Sequence, residues 1–369
     1  MRLGTKSLSV VMVVGAFVAA CSSTQSSVPV TPVDSPDGSV DAAPVTSTEA
    51  PIDRAHIGSD SSKPDFQNAR GKVDTSGTFA SVKLVVDLES SCFPFEKWKD
   101  DPPPPGQNWP ASCDAFDRNF ETSLVDPANP EAPGLELVRA ITPFGGPLHL
   151  EEDVTDIWNG LDGPRDLRIH ITTYSDGAGK VSGSNGGWTV SAKLVKTTGP
   201  APRRVLAVTP LFYGDVKADA PSRDLPFTVP AGSTKTTVLY RATGHGGQIE
   251  EGASCKQPAD EFCKREQELG FDDEAKQKVT LWRADCKTLC TVEHYEGNGL
   301  KLDYCKENPC GAQASVRAQR ANWCPGSVTP PEELVPASNA PGPHTFRFGI
   351  AGIAKEGMWR VSATAFSLE

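Results

Sequence analysis

Ala242-Thr243-Gly244-His245-Gly246-Gly247, Asp260-Glu261-Phe262-Cys263, Trp282-Arg283-Ala284-Asp285-Cys286 and Gln319-Arg320-Ala321-Asn322-Trp323-Cys324-Pro325-Gly326 are the fixed points of a cysteine-rich run over residues 242–326. A strand-like segment at its start ends in the Gly-His-Gly turn, because glycine reaches the backbone conformations that close a strand. Acidic residues stand beside cysteines, and Arg320 lies three positions before the Trp323 that opens a Trp-Cys-Pro-Gly corner. Such punctuation belongs to short strands and fixed loops rather than to long helices.

Outward from this run the strand signal dominates. Residues 79–88, FASVKLVVDL, are apolar and β-branched with partial alternation. Runs of the same kind occupy 119–125, 135–141, 167–174 and 188–196, with Gly-, Pro- and Asp-rich turns between them. After the Gly199-Pro200-Ala201-Pro202 break come 204–212, 235–243, 278–282, 344–350 and 359–366. Helical periodicity is scarce; its best case, 260–269, is short and charged. The 33 glycines and 32 prolines point the same way. The pattern predicts an all-β protein with two antiparallel sandwich or jelly-roll domains side by side, 75–200 and 203–369.

The N-terminal end reads differently. Arg2 and Lys6 precede an apolar run over 8–20 that is too short to span a membrane, which marks residues 1–20 as a signal peptide. Val18-Ala19-Ala20-Cys21 resembles a bacterial lipobox, which implies lipidation of Cys21 and a membrane-anchored location in the cell envelope. Ser22 after the cysteine implies sorting to the outer membrane. From Cys21 to Asp74 the chain is rich in Ser, Thr, Pro, Asp and Ala with no sustained apolar period. A disordered tether is expected over 21–74, since so little apolar area does not offset the entropy of ordering.

Charge and cysteines bound the function. A net charge of −11 argues against nucleic acid as a partner, because phosphate binding needs clustered Lys and Arg. Nine cysteines follow Cys21: Cys92, Cys113, Cys255, Cys263, Cys286, Cys290, Cys305, Cys310 and Cys324. An exported chain favours disulfides, and the odd number leaves at least one thiol unpaired within the chain. The spacings Cys286-x3-Cys290 and Cys305-x4-Cys310 also resemble zinc-ribbon pairs, a reading that an oxidising compartment disfavours. No metal or other cofactor is expected: the six histidines include no His-x-His or His-His pair, and no HExxH, GxSxG or phosphate-binding glycine loop occurs.

Taken together with Cys113-Asp114-Ala115-Phe116-Asp117-Arg118, the motifs DEFC and RANWCPG make the chain resemble the peptide-N-glycosidase F family. That resemblance implies two jelly rolls and hydrolysis of the amide between asparagine and the first N-acetylglucosamine of a glycan, with a glycoprotein or glycan as partner. It implies catalytic roles for Asp117 and Glu261, and substrate contacts from Arg118, Tyr174, His245 and Arg320. It further implies pairing of Cys92 with Cys113, Cys255 with Cys263, and Cys286 with Cys324, leaving Cys290, Cys305 and Cys310 to share one bond. A buried anchor for the Trp-Cys-Pro-Gly corner is an equal reading of Arg320.

One position departs from the pattern. Where the family has a second catalytic glutamate this chain has Thr172, and a hydroxyl does not supply the proton-accepting capacity of a carboxylate near neutral pH. His170 and Asp176 are the polar residues nearest in sequence. The alternative function is therefore a surface lipoprotein that binds glycan or protein without turnover.

Overall fold

The computed structural model describes residues 44–180, 182–249 and 254–369. The signal peptide, Cys21 and the first part of the expected tether lie outside the described residues. The first eight strands are β1 (Thr46–Ile57), β2 (Asn68–Asp74), β3 (Phe79–Ser90), β4 (Asn119–Val125), β5 (Leu135–Ile141), β6 (Leu148–Asp153), β7 (Pro164–Ile171) and β8 (Trp188–Thr198). Eleven follow: β9 (Val205–Val216), β10 (Ser222–Val229), β11 (Lys235–Gly246), β12 (Gln267–Phe271), β13 (Gln277–Val279), β14 (Val292–Gly297), β15 (Leu300–Cys305), β16 (Ser327–Val328), β17 (Glu332–Leu334), β18 (Gly342–Ile350) and β19 (Gly357–Leu368).

They assemble into an all-β protein of two jelly-roll-like sandwiches. In the first, the sheet β1-β8-β3-β6 faces the sheet β16-β5-β4-β7-β2. Val82, Leu84, Val86 and Leu88, the inward residues of β3, meet Phe120, Leu124, Ile169 and Ile171 in one apolar core. In the second, β10-β18-β12-β13 faces β17-β11-β19-β9 around Tyr240, Phe346, Phe348 and Trp359. All the named pairings are antiparallel, as short turn-linked strands favour.

One expectation about the fold needs correcting. The tether was placed over 21–74, yet β1 and β2 lie within it. The alternation that would have revealed β1 is broken by two register shifts, between Glu49 and Ile52 and between Ile52 and Ala55. Its buried residues, Ile52 and Ile57, are five positions apart and therefore out of phase with a period of two. As an edge strand paired only with β8, β1 also tolerates Pro51. The charged segment 260–269 is one helical turn, Ala259–Phe262, followed by the start of β12.

β4 and β5 are buried almost throughout, although they carry Glu121, Glu136 and Arg139. One face of each lies on the first core, and the other meets the second domain. There Glu121 accepts hydrogen bonds from Arg360 Nε at 2.7 Å, Arg360 Nη2 at 3.0 Å and Tyr213 Oη at 2.8 Å. Arg139 donates to Glu136 Oε1 and Oε2 at 2.8 and 3.1 Å and to the carbonyl of Arg360 at 2.5 Å. Buried charges persist when each has partners of the opposite sign, so this interface fixes how the domains meet.

The three disulfides implied by the resemblance are present, and a fourth joins Cys290 to Cys305. Three of the four cysteines in the zinc-like spacings are thus committed to disulfides. Cys310 is the free thiol among the described cysteines, and its sulfur lies within 4.8 Å of those of Cys92 and Cys113. Burial pushes its pKa far up.

Candidate functional site

The N-terminal wall of the site is the loop that leads into β4. Cys92–Cys113 ties its start, and the buried Asp114 accepts from Arg118 Nε at 2.9 Å and from the Phe116 amide at 3.0 Å. Thr142 Oγ1 accepts the Arg118 amide at 2.8 Å and donates to the Phe116 carbonyl at 2.9 Å. With the backbone clamped on both sides, Asp117 and Arg118 project to opposite faces. Arg118, expected to touch substrate, is 3% exposed. Its guanidinium stacks 3.7 Å from the Tyr174 ring centre and donates to the Tyr174 carbonyl and Ser182 Oγ at 3.1 and 3.0 Å. Arg118 therefore props Tyr174, whose ring remains 49% exposed and offers a stacking face.

The C-terminal wall is the cysteine-rich run. Cys255–Cys263 closes the helical turn that carries Glu261. The Glu261 carbonyl accepts the Ala321 amide at 2.9 Å, and its Oε1 accepts the Gly246 amide at 3.3 Å. The loop closed by Cys255–Cys263 keeps Glu261 beside the Gly-His-Gly turn. Gly244 approaches so closely that a Cβ there would lie 2.2 Å from the carbonyl oxygen of Asp260, which explains the glycine.

Arg320 stands between the walls. Its guanidinium is sandwiched by Phe262 and Trp323 at 5.1 and 4.6 Å, and donates to the carbonyls of Ser315 and Ala318 at 2.6 and 3.0 Å. Nη2 lies 3.7 Å from Asp117 Oδ2. At 1% exposure Arg320 is a buried anchor rather than a substrate contact, because stacking and carbonyl bonds occupy the group on most sides. From that place its charge acts on both Asp117 and Glu261. His245, also expected at the substrate, stacks on Trp323 with ring centres 5.3 Å apart, and its Nε2 is hydrogen-bonded to Thr243 Oγ1 at 2.9 Å. Burial and nearby arginines push its pKa down to about 3, so the ring is a neutral wall.

Two acids from different domains and one buried cation thus converge. Burial raises the pKa of Asp117 to about 7; Arg320 opposes that rise and Glu261 adds to it. Glu261 is raised as well, by burial, against the pull of the Gly246 amide and Arg320. A carboxyl poised near neutrality both takes and returns a proton, as general acid–base chemistry requires.

No comparable acid stands at Thr172, which is exposed, with Oγ1 3.4 Å from His170 Nε2. Burial lowers the His170 pKa. Asp176 holds the next turn, its carboxylate accepting the amides of Gly179 and Lys180 at 2.5 and 2.8 Å. Sequence reading missed the roles of Ser182, which receives Arg118, and of Glu121 behind the site. Nothing local marked either one.

Comparison with known proteins bears on the fold and on the second domain. Residues 213–365 match the sequence model of the family described as peptide-N-glycosidase F, C terminal, a span that contains Glu261 and Arg320 but not Asp117. No curated protein matches the chain. Among solved structures, PNGase F, a glycosylasparaginase from Flavobacterium meningosepticum, superposes with a TM-score of 0.63 at 17% identity, over 88% of this chain and 96% of that one. A peptide-N(4)-(N-acetyl-β-D-glucosaminyl) asparagine amidase gives 0.61 at 17% identity with the same coverage. PNGF-II gives 0.63 at 19% identity, over 88% of this chain and 65% of its own length. The second domain thus matches the peptide-N-glycosidase F C-terminal sequence model, and both domains share the fold of the PNGase F structures.

Proposed function

We propose that the chain is an amidase that releases N-glycans from asparagine. The observation that carries this reading is the meeting of Asp117 and Glu261 over Arg320, with the Asp117 pKa near 7. In the reaction, Asp117 takes a proton from water as the water oxygen bonds to the side-chain amide carbon. The carbon–nitrogen bond then breaks and the nitrogen leaves as a glycosylamine, receiving the proton that Asp117 took from water. Glu261 is the second polar group beside the developing charge, and Tyr174 stacks on a sugar ring. Incubation of the protein with a denatured glycopeptide tests it: mass spectrometry should show glycan loss with conversion of asparagine to aspartate. An unchanged glycopeptide would refute turnover.

Thr172 favours a second reading, glycan binding without release. The two separate through Thr172→Glu. If a missing carboxylate limits the chemistry, the variant should release glycan at least about a hundredfold faster, the low side of what a positioned acid or base contributes. An unaltered or lower rate in the variant speaks for the binding reading.

We further propose that Cys21 anchors the protein by lipid in the bacterial envelope, at the outer membrane. Cys21→Ser should then move the full-length chain from the membrane pellet to the soluble fraction. Continued sedimentation of the variant with membranes would count against the anchor.

A further inference from the structure

Along β7 the side chains alternate between two surroundings. Leu167, Ile169 and Ile171 lie in the first core, while Arg168 and His170 face the second domain, with Thr172 and Tyr174 beyond the end of the strand. On β4, Glu121 and Ser123 stand directly opposite His170 and Arg168. This two-strand face leads from Tyr174 at the candidate site to a pocket of about 440 Å³ bordered by Arg168, His170, Asn68, Tyr213 and Arg360. Six residues of chain separate the two places, at most roughly 20 Å.

Two polar groups here are unsatisfied, one on the lining of the pocket and one buried behind it. Arg168 Nε is buried without a hydrogen-bond partner, and the guanidinium has no ion pair among the described residues; its contact is the Tyr213 ring at 5.8 Å. Ser123 Oγ is buried and unbonded as well. The two are neighbours, since a Cβ on Gly134 would lie 3.7 Å from both Arg168 Nη2 and Ser123 Oγ. Arg360, by contrast, is saturated by Glu121 and Asp215. The one acid bordering the pocket, Glu131, is exposed and makes no bond to Arg168.

An unpaired guanidinium held partly out of water is costly unless something completes it. A carboxylate fits its planar fork. We infer that this pocket is a subsite for an acidic sugar, in which Arg168 takes the sugar carboxylate. The inference rests on the glycan reading proposed above. It commits to sugar rather than peptide because the exposed Tyr174 ring, a stacking face for a pyranose, stands six residues along the chain from Arg168.

Binding measurements test it without any turnover, so a failed amidase reading and a failed subsite give different results. Calorimetric titration of the folded protein with sialyllactose and with lactose should show the acidic trisaccharide bound about tenfold or more tightly, the scale of one charge-assisted hydrogen bond. Arg168→Gln should remove the difference and leave lactose binding unchanged, while Arg168→Lys should restore part of it. Equal affinities, no binding of either sugar, a preference that survives Arg168→Gln, or preference for an acidic peptide over sialyllactose would overturn the proposal.

Discussion

Asp117→Asn is expected to lower kcat for glycan release by about 10²–10⁴-fold with little change in KM, the range lost when a positioned proton acceptor is removed. An amide has the carboxylate's shape but does not accept a proton from water at neutral pH. Because the Asp117 pKa is raised to about 7, the active, ionised form is lost as the pH falls through that value. The wild-type rate should therefore decline below about pH 7, and the residual rate of the variant should show no such limb. A pH profile of kcat/KM for both proteins, with folding checked by circular dichroism, reads this directly. Less than a tenfold loss, or an unchanged acid limb in the variant, would mean that Asp117 is not the base.

Glu121→Gln should be the most damaging single substitution at the domain interface, at about 3–5 kcal/mol of stability, the cost of removing one partner of a buried ion pair. The carboxylate is 1% exposed and is held by two donors of Arg360 and by Tyr213. Glutamine keeps the shape but leaves the Arg360 charge with only Asp215. Urea midpoints would measure the difference. The pH dependence follows from the same contacts. Burial alone would raise the Glu121 pKa, but Arg360, with Arg139 and His170 adding to it, outweighs burial and carries it from 4.5 down to about 2. A depressed carboxyl stabilises the fold above its unfolded value, and that contribution, on the order of 3 kcal/mol, is lost as the pH falls from about 4.5 toward 2. The variant should lose this part of the acid sensitivity. A variant as stable as the parent at pH 7 would show that the pair only breaks even.

How far the chain could be read depended on the range of each interaction. β4 and β5 were legible to the residue, because β-branched and apolar side chains were bounded by turn residues. β1 was not, since its bulges put Ile52 and Ile57 out of phase and its stability comes from the distant β8. At the site, Asp117, Glu261 and Arg320 were legible through short motifs, each fixed by its own disulfide or turn. Their burial was not: sequence alone did not show that Arg118 would be consumed by Asp114, Tyr174 and Ser182, or Arg320 by Phe262 and Trp323. Glu121 looked like an ordinary strand charge, because its counter-ion lies 239 residues along the chain.

β16 has only two residues, yet it completes the first domain's sheet although it is encoded after most of the second domain. Ser327 and Val328 pair with Ile141 and Ala140, and the Thr329 amide reaches the Arg139 carbonyl at 2.8 Å. A gene cut near codon 200 would thus yield a front half whose β5 margin presents bare amides and carbonyls to any passing copy, an invitation to polymerise. The back half would carry a ribbon with nothing to lie on. Recombination that shuffles these two sandwiches among other proteins must inherit them as a pair, so the clasp makes one hereditary unit of what looks like two.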